Sequence, residues 1–375
     1  MLNCYLDLHY FKFADPRVFN QLGLDEFHLL LQNPKEYLLN IFQSNHHNSY
    51  GGFLEDSNSF WNDTRSNVIV KMLSLFDIFS QGNLFINSLF YNFLVFFGCI
   101  GLYRTFIKIF PDSKLILIAC IFLLPSTLYY SSSIHRDGLI YLSLGMAIYH
   151  LAALMNDKTS KFKHVSVAVF FLLLILLLRN FVFIALVPAL LAWLASEKVP
   201  RYSLLIFLCI YLLSALVFFS TSLLPYQLNL PAHVASRQSD FIIIAGNGAS
   251  AIPIHHLTPT FIGFLRNLPE AIEFSLMRPF ITEHGTLLYI PAATELLMYQ
   301  LLLVIFIFFR KKKITIPPVI YFGLFFSITM FLMIGYTIPI IGAISRYRSI
   351  YFPFILIPIA VFADWKKFGK FIHII

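Results

Sequence analysis

The stretch SLLIFLCIYLLSALVFFSTSLL (residues 203–224) decides the fold, because it is an unbroken apolar run without a charged side chain. A helix needs about 20 such residues to cross the hydrocarbon core of a bilayer. The rest of the chain is similar, since hydrophobic residues make up 58% of its 375 residues and charged residues 12%. Soluble domains carry about 25% charge. The sequence therefore predicts an integral membrane protein.

The other apolar runs are also continuous, whereas strands of a membrane barrel alternate apolar and polar residues over segments of about ten residues. Continuous runs favour helices. We therefore predict an all-α fold, a polytopic transmembrane helical bundle of about nine spans. The expected spans are residues 84–107, 115–131, 138–155, 165–178, 181–195, 203–224, 286–309, 315–336 and 349–363.

Basic residues orient these spans, because cytoplasmic loops of membrane proteins carry an excess of lysine and arginine. Every second connection contains such a cluster: Lys108 and Lys114; Lys158, Lys161 and Lys163; Lys198 and Arg201; Arg310 and residues 311–313; Lys366, Lys367 and Lys370. With these clusters in the cytoplasm, residues 1–83 form an extracytoplasmic N-terminal region with short helices. Residues 84–375 form the bundle, with an extracytoplasmic segment at residues 225–285.

The N-terminal region would reach the outside without a preceding span or signal peptide. Met1 begins in a stretch that resembles the outer end of a span, so we expect a first helix to be missing before it. The net charge of +8 does not indicate a nucleic-acid partner, because the basic residues lie in short clusters between apolar runs. The four cysteines show no ligand or disulfide spacing.

The outer connections beyond residue 83 contain seven arginines and no lysine. Arginine offers a permanently charged planar fork that suits phosphate, whereas lysine serves as a hydrated point charge. The outer face is therefore expected to bind an anion, although single arginines can also be anchors that reach towards the membrane surface. The set consists of Arg136, Arg179, Arg237, Arg266, Arg278, Arg346 and Arg348.

Carboxylates near the start of the chain are candidates for a general base. They are Asp15, the pair Asp25 and Glu26, and Glu55 with Asp56. A carboxylate just outside the first span would lie where a lipid-linked substrate presents its head group, although each acid can also be a solvated loop residue. No defined metal site is predicted; His46–His47 and His255–His256 lack partners at ligand spacing. A divalent cation held by the carboxylates is left open as a cofactor.

Three polar motifs interrupt the apolar runs. The turn SSSIHRDG (131–138) places a base, a cation and an acid side by side, with His135 and Asp137 as candidates to move protons and Arg136 to bind phosphate oxygens. Asp137 can equally be a helix N-cap. Arg179 stands between two leucine- and phenylalanine-rich runs, where a charge is a functional-site hypothesis by default. SRYRS (345–349) offers Arg346 and Arg348 to a pyrophosphate.

Residues 261–277 alternate apolar groups with Arg266, Glu270 and Glu273, as an interfacial helix does. The same pattern fits a helix that covers the outer rim of the bundle. Motifs for ATP binding, dinucleotide binding or a serine nucleophile are absent from the sequence, which argues against an ATP-driven pump or an ordinary cytoplasmic enzyme.

On these residues the chain resembles the GT-C class of polytopic glycosyltransferases. The likeness rests on the acidic first outer loop with Asp15, Asp25 and Glu26, the SIHRDG turn, the late outer segment and the SRYR entry to the last span. It covers most of the chain but lacks a paired Asp-x-Asp and the usual first span. The chain also resembles O-antigen polymerases and ligases of bacterial surface-polysaccharide pathways.

The resemblance implies an enzyme of the bacterial inner membrane that transfers a sugar from a polyprenyl-phosphate-linked donor to a glycan or lipid-linked acceptor. Asp15 is the first candidate to deprotonate the acceptor, ahead of Asp25, Glu26, His135 and Asp137. The phosphate-binding candidates are Arg136, Arg179, Arg237, Arg278, Arg346 and Arg348. A polysaccharide polymerase or ligase is the alternative, and a non-enzymatic lipid-linked oligosaccharide flippase or transporter is the second. The bilayer is a partner in every case.

Overall fold

The apolar runs form helices, as their hydropathy predicts. The computed structural model of the protein describes residues 15–42, 59–156, 160–246, 248, 250–283, 289–312 and 314–372. These residues contain seventeen α-helices and no strand; isolated β-bridges join Ala251 to Ile340 and Arg310 to Ala363. The all-α prediction is confirmed.

Contacts group the chain into two units, residues 1–108 with 128–183, and residues 109–127 with 184–375. The helices that begin in the first unit are α1 (Asp15–Gln32), α2 (Pro34–Leu39), α3 (Phe60–Ser80), α4 (Leu84–Ile109), α7 (Arg136–Asn156), α8 (Lys161–Leu178) and α9 (Asn180–Lys198). Those that begin in the second are α5 (Lys114–Phe122), α6 (Pro125–Ser131), α10 (Ser203–Ser220), α11 (Leu230–Ala245), α12 (Phe261–Leu276), α13 (Ile290–Phe308), α14 (Pro318–Thr337), α15 (Ile341–Ser349), α16 (Phe352–Phe362) and α17 (Trp365–Phe371).

Seven helices of the described residues are long and apolar enough to cross a membrane. They are Leu84–Ile109, Arg136–Met155, Lys161–Leu178, Asn180–Lys198, Pro200–Leu223, Ile290–Phe308 and Pro318–Thr337. An eighth span results if Pro111–Phe122 and Pro125–Ser131, which meet at 49°, act as one. The expected last span, 349–363, is helical only over the 11 residues of α16, about half of the roughly 30 Å core at 1.5 Å per residue. Nine spans therefore stay a prediction.

The region before residue 84 is more regular than the short helices expected there. Helix α3 has 21 residues, whereas only short helices were expected in this region. Packing explains the difference, because the Lys71 ammonium forms a 2.5 Å ion pair with Glu26 of α1 and donates to the Tyr37 carbonyl oxygen at 3.1 Å. Asn67 donates to the Asn40 carbonyl oxygen at 2.6 Å. The packing units do not test the predicted boundary at residue 83, which concerns the two faces of a membrane.

Glycines let α4 and α7 approach closely within the first unit. A Cβ on Gly145 would lie 2.1 Å from the carbonyl oxygen of Gly98, and a Cβ on Gly98 would lie 2.5 Å from the Cα of Leu142. In a membrane the hydrophobic effect does not drive two apolar helices together. Small residues promote their association instead, because they let the backbones pack closely. The α4–α7 contact therefore requires glycine at positions 98 and 145, because a larger side chain would not fit between the helices.

We expect Gly145→Ala to destabilise the protein by about 1–3 kcal/mol, because the added methyl group forces α4 and α7 apart. Thermal unfolding in detergent measures the effect. Gly342→Ala is the matched control, since a Cβ there meets no atom within 4 Å. Equal melting temperatures for the two variants would contradict the close packing of these helices.

Helix α14 is the centre of the second unit and packs against α10, α11, α12 and α16. Its buried face is aromatic: Phe322 lies 5.0 Å from the Trp193 ring, and Phe326 lies 5.5 Å from the Tyr351 ring. Rings in edge-to-face or tilted contact fill the space between helices. This packing holds the first half of α14 in place.

Candidate functional site

A short turn joins α6 to α7, and α4 holds it in place. The Tyr91 hydroxyl donates a hydrogen bond to the carbonyl oxygen of His135. The Asn92 amide donates to the carbonyl oxygen of Ser132 at 3.0 Å. Gly138 packs against the same tyrosine, since a Cβ there would come within 2.3 Å of the Tyr91 hydroxyl. Side chains that leave this turn therefore start from a fixed backbone.

Two consecutive side chains, His135 and Arg136, both contact α1, and Arg136 also reaches α3. The Nδ1 atom of His135 lies 3.7 Å from a carboxylate oxygen of Asp15 at the start of α1, a distance that suits an ion pair when the imidazole is protonated. The Arg136 guanidinium donates to the Ser66 hydroxyl of α3 at 2.8 Å and lies 5.8 Å from the centre of the Phe19 ring. A carboxylate, an imidazole and a guanidinium thus converge at this turn.

The next residue, Asp137, forms a buried ion pair with Arg179. Their atoms are 2.5 Å apart, and the side chains are 1% and 11% exposed, respectively. Arg179 occupies the single-residue break between α8 and α9, with its guanidinium 5.7 Å from the Phe181 ring. The Asp137 carboxylate therefore explains how a charged residue is tolerated between two apolar runs. The ion pair also connects the break between α8 and α9 to the start of α7.

Among the early carboxylates that the structure describes, Asp15 is the one that faces the turn. Glu26 is committed to the buried ion pair with Lys71, at 2.5 Å. Asp25 is exposed and accepts a hydrogen bond from Gln21 of its own helix at 3.1 Å. The geometry therefore favours Asp15 over Asp25 and Glu26 as a catalytic carboxylate.

Two of the predicted phosphate-binding arginines contact the end of α12 in the second unit. Arg348 is buried and donates to the carbonyl oxygens of Ser275 and Arg278, at 3.1 and 2.5 Å, just where α12 ends. A cation is favourable at the carbonyl end of a helix. Arg278 lies between two carboxylates, 2.9 Å from Glu273 and 2.8 Å from Glu283. Both arginines thus stabilise the end of α12.

The remaining arginines of the second unit are more accessible. Arg346 is partly exposed, and its guanidinium lies 4.9 Å from the Tyr347 ring. Arg237 is 57% exposed and forms a 3.4 Å surface ion pair with Asp240. Arg136 and Arg179 belong to the first unit, whereas Arg346 and Arg348 belong to the second. Binding of one phosphate by all four arginines therefore stays a prediction.

Several structural residues were missed by the sequence reasoning. Tyr91 and Ser66 carry no motif, and their contacts with the turn depend on the tertiary fold. Glu295 did carry a signal, as the only acid within residues 286–309. It is buried inside α13, where it accepts hydrogen bonds from the Ser126 backbone amide at 3.0 Å and from the Tyr299 hydroxyl. Buried charge in an apolar helix is a general indicator of a site.

The described residues contain no group of three or more His, Cys, Asp or Glu side chains that could hold a metal ion. His255 pairs instead with Glu270, at 2.9 Å. The pairs Glu55–Asp56 and His46–His47 lie outside the described residues. The divalent cation left open by the sequence therefore stays untested.

Comparison of the chain with protein-family models found no match. No curated protein and no solved structure matched it either.

Proposed function

We propose that the protein is an integral membrane glycosyltransferase that takes a sugar from a polyprenyl-phosphate-linked donor on the extracytoplasmic face, in cell-surface glycan biosynthesis. The observation that carries the proposal is the convergence of Asp15, His135 and Arg136 at the start of the candidate span α7. A proton acceptor and a cation at the end of a span lie at the depth where a lipid carrier holds its phosphate.

The chemistry assigned to these groups is a displacement at the anomeric carbon. The acceptor hydroxyl oxygen forms the new glycosidic bond, and the bond from the sugar to the carrier phosphate breaks with its electron pair on the phosphate oxygen. His135 takes the hydroxyl proton, and the Asp15 carboxylate stabilises the resulting imidazolium. Arg136 stabilises the negative charge on the departing phosphate.

Asp137 and Arg179 have a supporting role in this proposal. Their buried ion pair is neutral overall, so a phosphate at Arg179 would compete with the Asp137 carboxylate. The pair instead fixes the residue that follows Arg136 and so limits how far the guanidinium can move. Preorganised charge stabilises a transition state without a reorganisation cost.

The topology in this proposal is that of the sequence prediction, with nine spans in a bacterial inner membrane and the lysine-rich connections in the cytoplasm. The SIHRDG turn then lies on the extracytoplasmic face. Helices α10 and α14 both end on that face in the same scheme, which agrees with their common contact with α12. A glycan or lipid-linked acceptor would approach from the same side.

A polysaccharide polymerase or ligase is the alternative that uses the same residues. Its donor is a lipid-linked oligosaccharide diphosphate, and an extra phosphate would employ a second arginine. Product length separates the two functions, because a transferase adds one sugar, a polymerase makes a ladder, and a ligase moves a whole glycan.

The test is single-turnover sugar transfer in liposomes that contain the purified protein and a mixture of polyprenyl-linked donors. We expect a one-sugar product with the unaltered protein and about a hundredfold slower transfer with Asp15→Asn, because the base His135 loses the carboxylate that stabilises its protonated form. Asp25→Asn, on the same helix but away from His135, is expected to keep its rate.

Loss of transfer in Asp25→Asn with normal transfer in Asp15→Asn would contradict the role assigned to Asp15. A ladder of products would favour the polymerase. Absence of turnover with every donor, in protein that elutes as a single species, would overturn the enzymatic proposal and favour a flippase.

A further inference from the structure

Helix α12 presents three chemically distinct faces. Its buried face packs on the protein and consists of Gly263, Phe264, Asn267, Ala271, Phe274 and Ser275. A second face carries the charged residues Arg266, Glu270 and Glu273, separated by four and three positions. The third is an apolar stripe of Phe261, Leu265, Ile272 and Leu276, separated by four, seven and four positions. These spacings return to one side of a helix with 3.6 residues per turn.

The apolar stripe is largely uncovered by protein. Phe261 is 61% exposed and Leu265 57% exposed, whereas the charged face has local partners, such as the Glu270–His255 pair at 2.9 Å. A helix in water would hide its apolar residues, and a spanning helix would not carry three charges on one side. The three faces therefore require protein, water and an apolar phase around the same helix.

The position of α12 in the second unit identifies that apolar phase. Its contacts with α14 fall on the last residues of that candidate span: the Tyr336 hydroxyl donates to the Phe264 carbonyl oxygen at 2.9 Å, and a Cβ on Gly335 would lie 2.0 Å from the Ala271 carbonyl oxygen. Two adjacent residues of α14 thus meet residues seven positions apart on α12. These contacts place α12 against the last turns of α14.

The first turn of α12 also meets the end of the candidate span Pro200–Leu223. The Phe261 ring lies 5.2 Å from the Phe219 ring. This helix is the most hydrophobic of the seven candidate spans. Its leucine side chains are largely uncovered by protein, with Leu212 65% and Leu216 62% exposed. The apolar stripe of α12 therefore continues the surface that the span would present to lipid.

We propose that α12 lies in the membrane–water boundary, with the apolar stripe in the acyl-chain boundary and the charged face in water. The inference rests on the membrane assignment within the proposed function and adds a lipid-binding surface to it. Amphipathic interfacial helices bury their apolar side about 5–10 Å into this boundary. Arg348 gains a positioning role here, because its bonds to Ser275 and Arg278 hold the far end of α12.

Site-directed nitroxide labels in liposomes test this placement. Cys4 and Cys209 are first replaced by serine, while Cys99 and Cys120 are buried, at 9% and 6% exposure, and are retained. Single cysteines then replace Leu265 and Ile272 on the apolar stripe, Arg266 on the charged face, and Leu212 in the middle of Pro200–Leu223 as a deep reference. Except for the partly buried Ile272, all of these side chains are exposed.

The measurement compares collisions with oxygen, which concentrates in lipid, and with a water-soluble nickel complex. We expect the oxygen-to-nickel ratio to be several-fold higher at Leu265→Cys and Ile272→Cys than at Arg266→Cys, and highest at Leu212→Cys. Equal ratios at positions 265 and 266 would overturn the proposal. Protection of position 265 from both reagents would also overturn it, since a second copy of the chain would then cover the stripe. Nickel access at position 212 would instead contradict the membrane assignment itself.

Discussion

Asp137→Asn is expected to destabilise the protein by about 3–5 kcal/mol, because the change leaves the Arg179 guanidinium buried without its carboxylate. The two side chains are 1% and 11% exposed, so water cannot replace the lost partner. A guanidinium also cannot lose its proton to escape the penalty. Thermal unfolding in detergent, read at fixed protein concentration, measures the loss.

The double variant Asp137→Asn/Arg179→Met is the control that separates charge from packing. Removing both charges of a buried ion pair is often neutral, whereas removing one is costly. We therefore expect the double variant to regain most of the stability lost in Asp137→Asn. Equal destabilisation in the single and double variants would contradict a major contribution from the charge pair.

The helices could be predicted from sequence because hydropathy is a local property. The run at 203–224 forms a helix that begins at the expected residue and ends four residues early. The run at 315–336 forms a helix that begins three residues late and ends one residue late. The length of α3 could not be predicted in this way, because it depends on tertiary contacts. Its Lys71 and Asp77 resemble loop residues until the tertiary fold supplies Glu26 for one and Asn87 for the other.

The candidate site was predicted in part, for a similar physical reason. The SIHRDG turn stands out in sequence because charges interrupt two apolar runs, and the structure places Asp15 beside its histidine. The sequence could not separate Arg348 from Arg136, since both are arginines at the end of an expected span. Their hydrogen-bond partners differ in the folded protein. Arg348 donates to backbone carbonyl oxygens, whereas Arg136 donates to the hydroxyl of Ser66. Such a difference exists only after folding.

The second large effect is expected on catalysis, at Arg136. We expect Arg136→Ala to slow single-turnover sugar transfer by roughly 10²–10³-fold, equivalent to about 2.7–4 kcal/mol of barrier, as for other groups that stabilise developing negative charge. Arg136→Lys is expected to recover only part of the rate, because lysine keeps the charge but lacks the planar fork. The liposome assay with polyprenyl-linked donors gives both rates.

Arg237→Ala is the matched control, since this arginine is 57% exposed and pairs with Asp240 at the surface. Exposed ion pairs contribute about 0–1 kcal/mol, so we expect its melting temperature and its transfer rate to stay close to those of the unaltered protein. A fall in rate shared equally by Arg136→Ala and Arg237→Ala would indicate a general dependence on positive charge and would contradict a specific phosphate contact at Arg136. Full recovery by Arg136→Lys would argue against the fork geometry, because a point charge would then be sufficient.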